Sequence, residues 1–89
     1  DYIELSNEFS IVDVPAPADF TGKTLKEIGL RSRFGLTTIA IKRTSRTSDG
    51  PVTNIAPGPE DVVLEGDVLS LLGSNERLGQ LDRMLKAKK

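Results

Sequence analysis

Apolar and polar positions along the chain fall into short runs, each with a physical stop at its end. Phe9-Ser10-Ile11-Val12-Asp13-Val14 is rich in β-branched and aromatic residues and reads as a strand. Pro15-Ala16-Pro17 ends it, because proline has no N–H to give to a ladder. Leu25 and Ile28 then lie one helical turn apart, which predicts a short helix over residues 23–30, with Asp19 or Thr21 available to cap it. Gly29 weakens that helix, and Gly35 supplies a turn after it.

Leu36-Thr37-Thr38-Ile39-Ala40-Ile41 is a second β-branched run, followed by a polar stretch over residues 44–51 that reads as a hairpin loop. Val52-Thr53-Asn54-Ile55 is the returning strand, stopped by Pro57-Gly58-Pro59. Leu64-Glu65-Gly66-Asp67 turns into Val68-Leu69-Ser70-Leu71-Leu72, apolar on both faces and so the expected central strand. Ser74 caps a last helix, with Glu76 in its first turn, Lys86 in its last, and a core-facing stripe of Leu78, Leu81 and Leu85. The expected fold is α+β: a small, mostly antiparallel sheet with a short helix after the first strand and a C-terminal helix packed on the sheet.

With 89 residues there is room for one small domain and a thin core, which a partner surface would help. The chain has no Cys and no His. Disulfides, thiol nucleophiles, Ser-His-Asp triads and the usual zinc ligand sets are thereby excluded. The apolar runs, such as Val62-Val63-Leu64, fall far short of the ~20 residues that cross a bilayer, so no direct membrane insertion is expected. Beginning at Asp1 rather than Met, the chain reads as a soluble piece of something longer.

The net charge of −1 conceals blocks. Residues 1–20 carry five acids and no base, and residues 23–46 carry seven bases against Glu27 alone. Residues 49–67 are acidic again and the C-terminal stretch is basic. A neutral average argues against binding driven by bulk charge, while the basic middle leaves room for a local anion site.

Several short motifs invite sharper readings. Gly22-Lys23-Thr24 ends like a phosphate-binding loop, but Pro17 stands where the pattern needs another Gly, so a helix start is the better account. Lys42, Arg43 and Arg46 have only Phe34 near them as an aromatic platform, which favours a solvated strand end over a nucleic-acid interface. Arg31 and Arg33 flank a helix end, where cations meet the dipole, or Arg31 faces an anion. Asp61, Glu65 and Asp67 sit in a turn, and Asp67 is expected to bond the turn's own backbone rather than act as an acid, a base or a cation ligand. Val63, Gly66, Asp67 and Leu69 echo the turn of biotinyl and lipoyl carriers, but the matching second half is missing.

The run Phe20-Thr21-Gly22-Lys23-Thr24-Leu25-Lys26-Glu27-Ile28-Gly29-Leu30-Arg31, then Phe34-Gly35, Ile39-Ala40-Ile41-Lys42-Arg43, Asn54-Ile55-Ala56-Pro57, Leu64-Glu65-Gly66-Asp67-Val68-Leu69 and Gly73-Ser74 resembles the TrkA-C domain. That domain is the C-terminal lobe of the regulator-of-potassium-conductance module of bacterial potassium uptake and channel proteins. The resemblance spans residues 9–85, leaving residues 1–8 as a linker and residues 86–89 as a basic tail. It implies a cytoplasmic, non-catalytic regulatory lobe, held at the inner membrane only through a membrane-embedded cation transporter or channel, that pairs with itself as a homodimer.

Related lobes bind cyclic di-AMP across the two-fold axis, and the positions here that match that pocket are Leu25, Arg31, Thr37 and Pro57. Arg31 would face phosphate, while Leu25 and Pro57 would pack the adenine. Thr37 stands where ligand-binding relatives often carry Asn, which leaves open a purely structural dimerisation lobe. Because the motifs are shared by family members on other carriers, the regulatory lobe of another cation or organic-anion carrier is open too. No cofactor, metal or nucleic-acid partner is implied.

Overall fold

The computed structural model describes residues 2–44, 50 and 52–87. Its elements in chain order are β1 (Tyr2–Glu4), β2 (Phe9–Pro15), a 3-10 turn (Ala18–Phe20), α1 (Leu25–Ile28), α2 (Leu30–Phe34), β3 (Thr37–Arg43), β4 (Val52–Ile55), β5 (Val68–Ser74) and α3 (Asn75–Ala87). The strands form one sheet in the order β1-β2-β5-β3-β4, with every pairing antiparallel. This is the α+β architecture that the hydrophobic pattern predicts. The hairpin loop expected over residues 44–51, with Arg46, and the last basic residues fall largely outside the described residues.

β5 is central because it is apolar on both faces: Leu69 and Leu71 are fully buried, and Leu72 is half-buried. Leu78 and Leu81 of α3 join Leu69, Leu71, Ile41, Leu30, Leu36, Ile28, Phe20 and Val63 in one core cluster. The Ser74 hydroxyl accepts from Arg77 N at 3.1 Å, so the expected N-cap of α3 is present. Gly73 is required by packing, since a Cβ there would fall inside the contact radius of the buried Leu36 side chain.

Four features differ from the sequence expectation. Part of the leading stretch read as a linker forms β1, with Ile3 opposite Ile11 and Tyr2 opposite Val12. The helix expected over residues 23–30 is two helices, because Gly29 adopts a left-handed φ of 76° and turns the chain between α1 and α2. Its cap is Thr24, rather than Asp19 or Thr21. Thr24 Oγ1 accepts from Glu27 N at 3.1 Å and Glu27 Oε1 accepts from Thr24 N at 2.8 Å, a reciprocal capping box.

The basic strand end is also organised differently from a solvated one. Lys42 Nζ pairs with Asp13 Oδ2 at 2.8 Å, and Asp13 Oδ1 accepts from Ser70 Oγ at 2.6 Å. Arg43 grips the fully buried Asp67 carboxylate in two places, with Nε to Oδ1 and Nη2 to Oδ2 both at 2.9 Å. The pairing of β3 with β5 sets Lys42 beside Val68, which brings these partners within reach.

A cleft between the split helix and the start of strand β3

A cleft of about 530 Å³ opens where α1, α2, the start of β3 and the Pro57–Pro59 turn converge. That volume is within the range of small-molecule sites. Local backbone chemistry explains why the walls meet. The first N–H groups of a helix have no partner inside it. In α1, Leu25 N donates to Asp61 O at 3.0 Å and Lys26 N to Pro59 O at 2.9 Å, which ties the helix start to the turn after β4. Asp61 Oδ2 accepts from Gly58 N at 2.7 Å and closes that turn on itself.

Its apolar lining comes from Leu25, Leu30, Leu36, Pro57 and Pro59. The same cleft is lined by the hydroxyl residues Ser32, Thr37 and Thr38 and by the cations Lys26 and Arg31. No lining residue is acidic. The register of β3 against β5 shifts between Thr38 and Ala40, so the strand is irregular where its first residues border the cleft. Ala56, at the end of β4, holds a positive φ of 54° and donates to Ile39 O at 2.7 Å, which turns the chain into Pro57.

All four residues singled out in the sequence, Leu25, Arg31, Thr37 and Pro57, line this one cleft. Arg31 is exposed, and its Nη1 reaches Thr37 Oγ1 at 3.5 Å, at the outer limit of a hydrogen bond. Arg33, by contrast, is taken up by the fold. Its Nη1 donates to Ile28 O at 3.2 Å, and its guanidinium lies 5.2 Å from the Phe34 ring centre. The alternatives for the two arginines therefore divide: one is structural and one faces the cleft. Lys26, Ser32 and Thr38 also line it and were not anticipated as site residues. For Lys26 a signal existed, since it directly follows Leu25 at a helix start.

The carboxylates of Glu27 and Asp67 are held by hydrogen bonds of their own. A hydrogen bond from Thr24 N, reinforced by the Thr24 hydroxyl, holds the Glu27 carboxyl below its ordinary value. Asp67 accepts from Leu64 N at 2.8 Å, the turn bond expected of it. Burial pushes its carboxyl up, but Arg43 and Leu64 N outweigh burial and hold it below the usual range. Among the described residues no group of three or more His, Cys, Asp or Glu is placed to hold a metal ion, and no helix is long and apolar enough to cross a membrane.

The chain belongs to the TrkA-C domain family, whose pattern matches residues 9–86. It is 30% identical over 83 residues to the Ktr system potassium uptake protein C of Bacillus subtilis, covering 93% of this chain and 35% of that protein. The Ktr system potassium uptake protein A of the same organism is 31% identical over 81 residues, covering 91% of this chain and 34% of that protein.

The chain thus spans about a third of the length of these relatives. Among solved structures, the C-terminal regulator-of-conductance domain of the potassium transport protein KtrA, in complex with cyclic di-AMP, superposes with a TM-score of 0.74 at 28% identity. The match covers 89% of this chain and 86% of that one. The RCK domain of the GsuK protein also gives a TM-score of 0.74, at 30% identity, covering 93% of this chain and 17% of that one.

Proposed function

We propose that this chain is a non-catalytic, cytoplasmic regulatory lobe that binds cyclic di-AMP between two copies of itself and so biases the gating of a membrane potassium transporter or channel. The observation that carries this reading is the convergence of Leu25, Arg31, Thr37 and Pro57 on one cleft whose lining is largely apolar and includes two cations. An adenine ring buries its faces against Leu25 and Pro57, and a phosphodiester accepts the paired N–H groups of Arg31. The Arg31–Thr37 contact is long enough that the guanidinium gives up little when it turns to a phosphate.

A two-fold ligand suits a two-fold interface in which each copy offers the same patch. Regulation follows by linkage: a ligand that fits one dimer geometry better than another shifts the population toward it, and a tether passes that bias to the transporter. Relatives that bear the Ktr potassium uptake names, and a neighbour solved with cyclic di-AMP, support the choice of ion and ligand.

Thermal melts and calorimetric titration with cyclic di-AMP test the proposal. A ligand at 100 times its Kd adds about 2.7 kcal/mol, a rise of many degrees for a domain of this size. Arg31→Ala should keep the fold and weaken binding by about 1–3 kcal/mol, the scale of a charged hydrogen bond. Equal affinities for the two proteins would remove Arg31 from the site. A second reading, a dimerisation lobe without a ligand, is favoured by Thr37 in place of an amide side chain. It requires that no cyclic dinucleotide raise the melting point while protein concentration does.

A further inference from the structure

We propose that Lys26 is a second anion contact of the cleft, beside Arg31; this rests on the cyclic-dinucleotide reading above. Lys26 and Arg31 line the same cavity from α1 and α2, on either side of the turn at Gly29. The Lys26 backbone is anchored, since its N–H donates to Pro59 O, while its side chain is exposed. Among the described residues the Lys26 ammonium has no ion-pair partner.

Of the acids flanking α1 and the turn it bonds to, Glu60 is exposed, while Glu27 and Asp61 are committed elsewhere. Glu27 closes the capping box at Thr24, and Asp61 closes the turn at Gly58. Each protomer therefore presents Lys26 and Arg31 to a cleft whose lining, among the described residues, includes no carboxylate. The field inside an apolar-walled cleft lined by one sign of charge is concentrated and favours the more highly charged anion. A lysine suits the second contact. Its aliphatic stem can lie on apolar wall while its compact ammonium reaches a phosphate oxygen that the planar arginine fork leaves free.

The test is calorimetric titration of cyclic di-AMP into wild type, Lys26→Met and Lys26→Arg, at about 50 mM and about 300 mM salt, where the screening length shortens by more than half. Lys26→Met keeps the stem and removes the charge. Its affinity should fall about three- to tenfold at low salt, and should vary less with salt than that of wild type, while Lys26→Arg retains both properties. Unchanged melting of Lys26→Met without ligand confirms that the change is in binding. Wild-type affinity and wild-type salt dependence in Lys26→Met would overturn the role of Lys26 and leave the ligand reading standing. No binding by wild type at either salt would overturn both.

Discussion

Replacing Arg43 with Met isolates the ion pair on which the turn before β5 depends. The change keeps much of the aliphatic stem and removes the guanidinium. Asp67, with no exposed side-chain surface, then loses two N–H donors and retains Leu64 N alone. Val62 O loses its bond from Arg43 Nη2 as well. Breaking a buried pair from one side costs about 3–5 kcal/mol because a charge is left stranded. Arg43 is itself 43% exposed, so water can partly replace it, and the lower end, about 3 kcal/mol, is expected. For 89 residues the whole stability is of order 4–13 kcal/mol, so the loss is a large share of it. At roughly 4–8 °C per kcal/mol, the melting point should fall by about 12–24 °C at neutral pH.

The pH dependence carries the sign of the argument. In wild type the Asp67 carboxyl is held below its unfolded value. Its contribution is therefore present above the unfolded value and is lost as pH falls through the folded one. Without Arg43, burial dominates and the folded value rises. The defect of Arg43→Met should then shrink on acidification, as Asp67 takes up a proton. Melts followed by circular dichroism at pH 7 and pH 4 measure both effects. A variant that melts within about 4 °C of wild type at pH 7 would refute the account of Asp67 as a buried charge that needs its partner.

Gly73→Ala should destabilise by about 1–3 kcal/mol, because the new methyl meets the buried Leu36 in the middle of the core; denaturant melts measure it, and a neutral result would mean that Leu36 repacks freely. Ala56→Gly should stabilise by about 0.5–1 kcal/mol. The positive φ at Ala56 is relieved, the exposed methyl loses little, and the added freedom of the unfolded chain offsets part of the gain. A loss of stability in the same melts would show that the Ala56 backbone is not strained.

Strand β5 and helix α3 were legible because their signals are local. A run of apolar residues on both faces means a central strand, and leucines spaced three and four apart above a serine cap mean a docked helix. The Thr24–Glu27 box was also written in the sequence, as a Thr followed three residues later by Glu, but Asp19 and Thr21 compete with it as caps until the 3-10 turn is seen to occupy residues 18–20. Gly29 announced a weak helix, and only the packing of Leu30 and Ile28 into one core makes it a sharp turn.

The pairs Arg43–Asp67 and Lys42–Asp13 were not legible. They join residues 24 and 29 positions apart, and depend on the register between strands that the residues themselves do not set. β1 was hidden for a related reason, since three exposed residues form a strand only because β2 offers an edge. The four cleft residues came from a family likeness. That Lys26 belongs with them follows from geometry.

The strand order has a consequence for how the chain comes into being. β2 and β3 share no ladder of their own, and each meets the rest of the sheet through β5, the last strand to be synthesised. Until residues 68–74 leave the ribosome, the two hairpins β1–β2 and β3–β4 have no strand to join them into one sheet, and an isolated hairpin is marginal in water. At about 5–20 residues per second, the interval between the end of β2 at residue 15 and the start of β5 at residue 68 lasts on the order of 3–10 s. Val12 and Val14 throughout it, and Ile41 from its own synthesis onward, are without the strand they pair with. A ribosome that stalls before residue 68 releases no partial domain, only apolar edges for a chaperone or a protease to find.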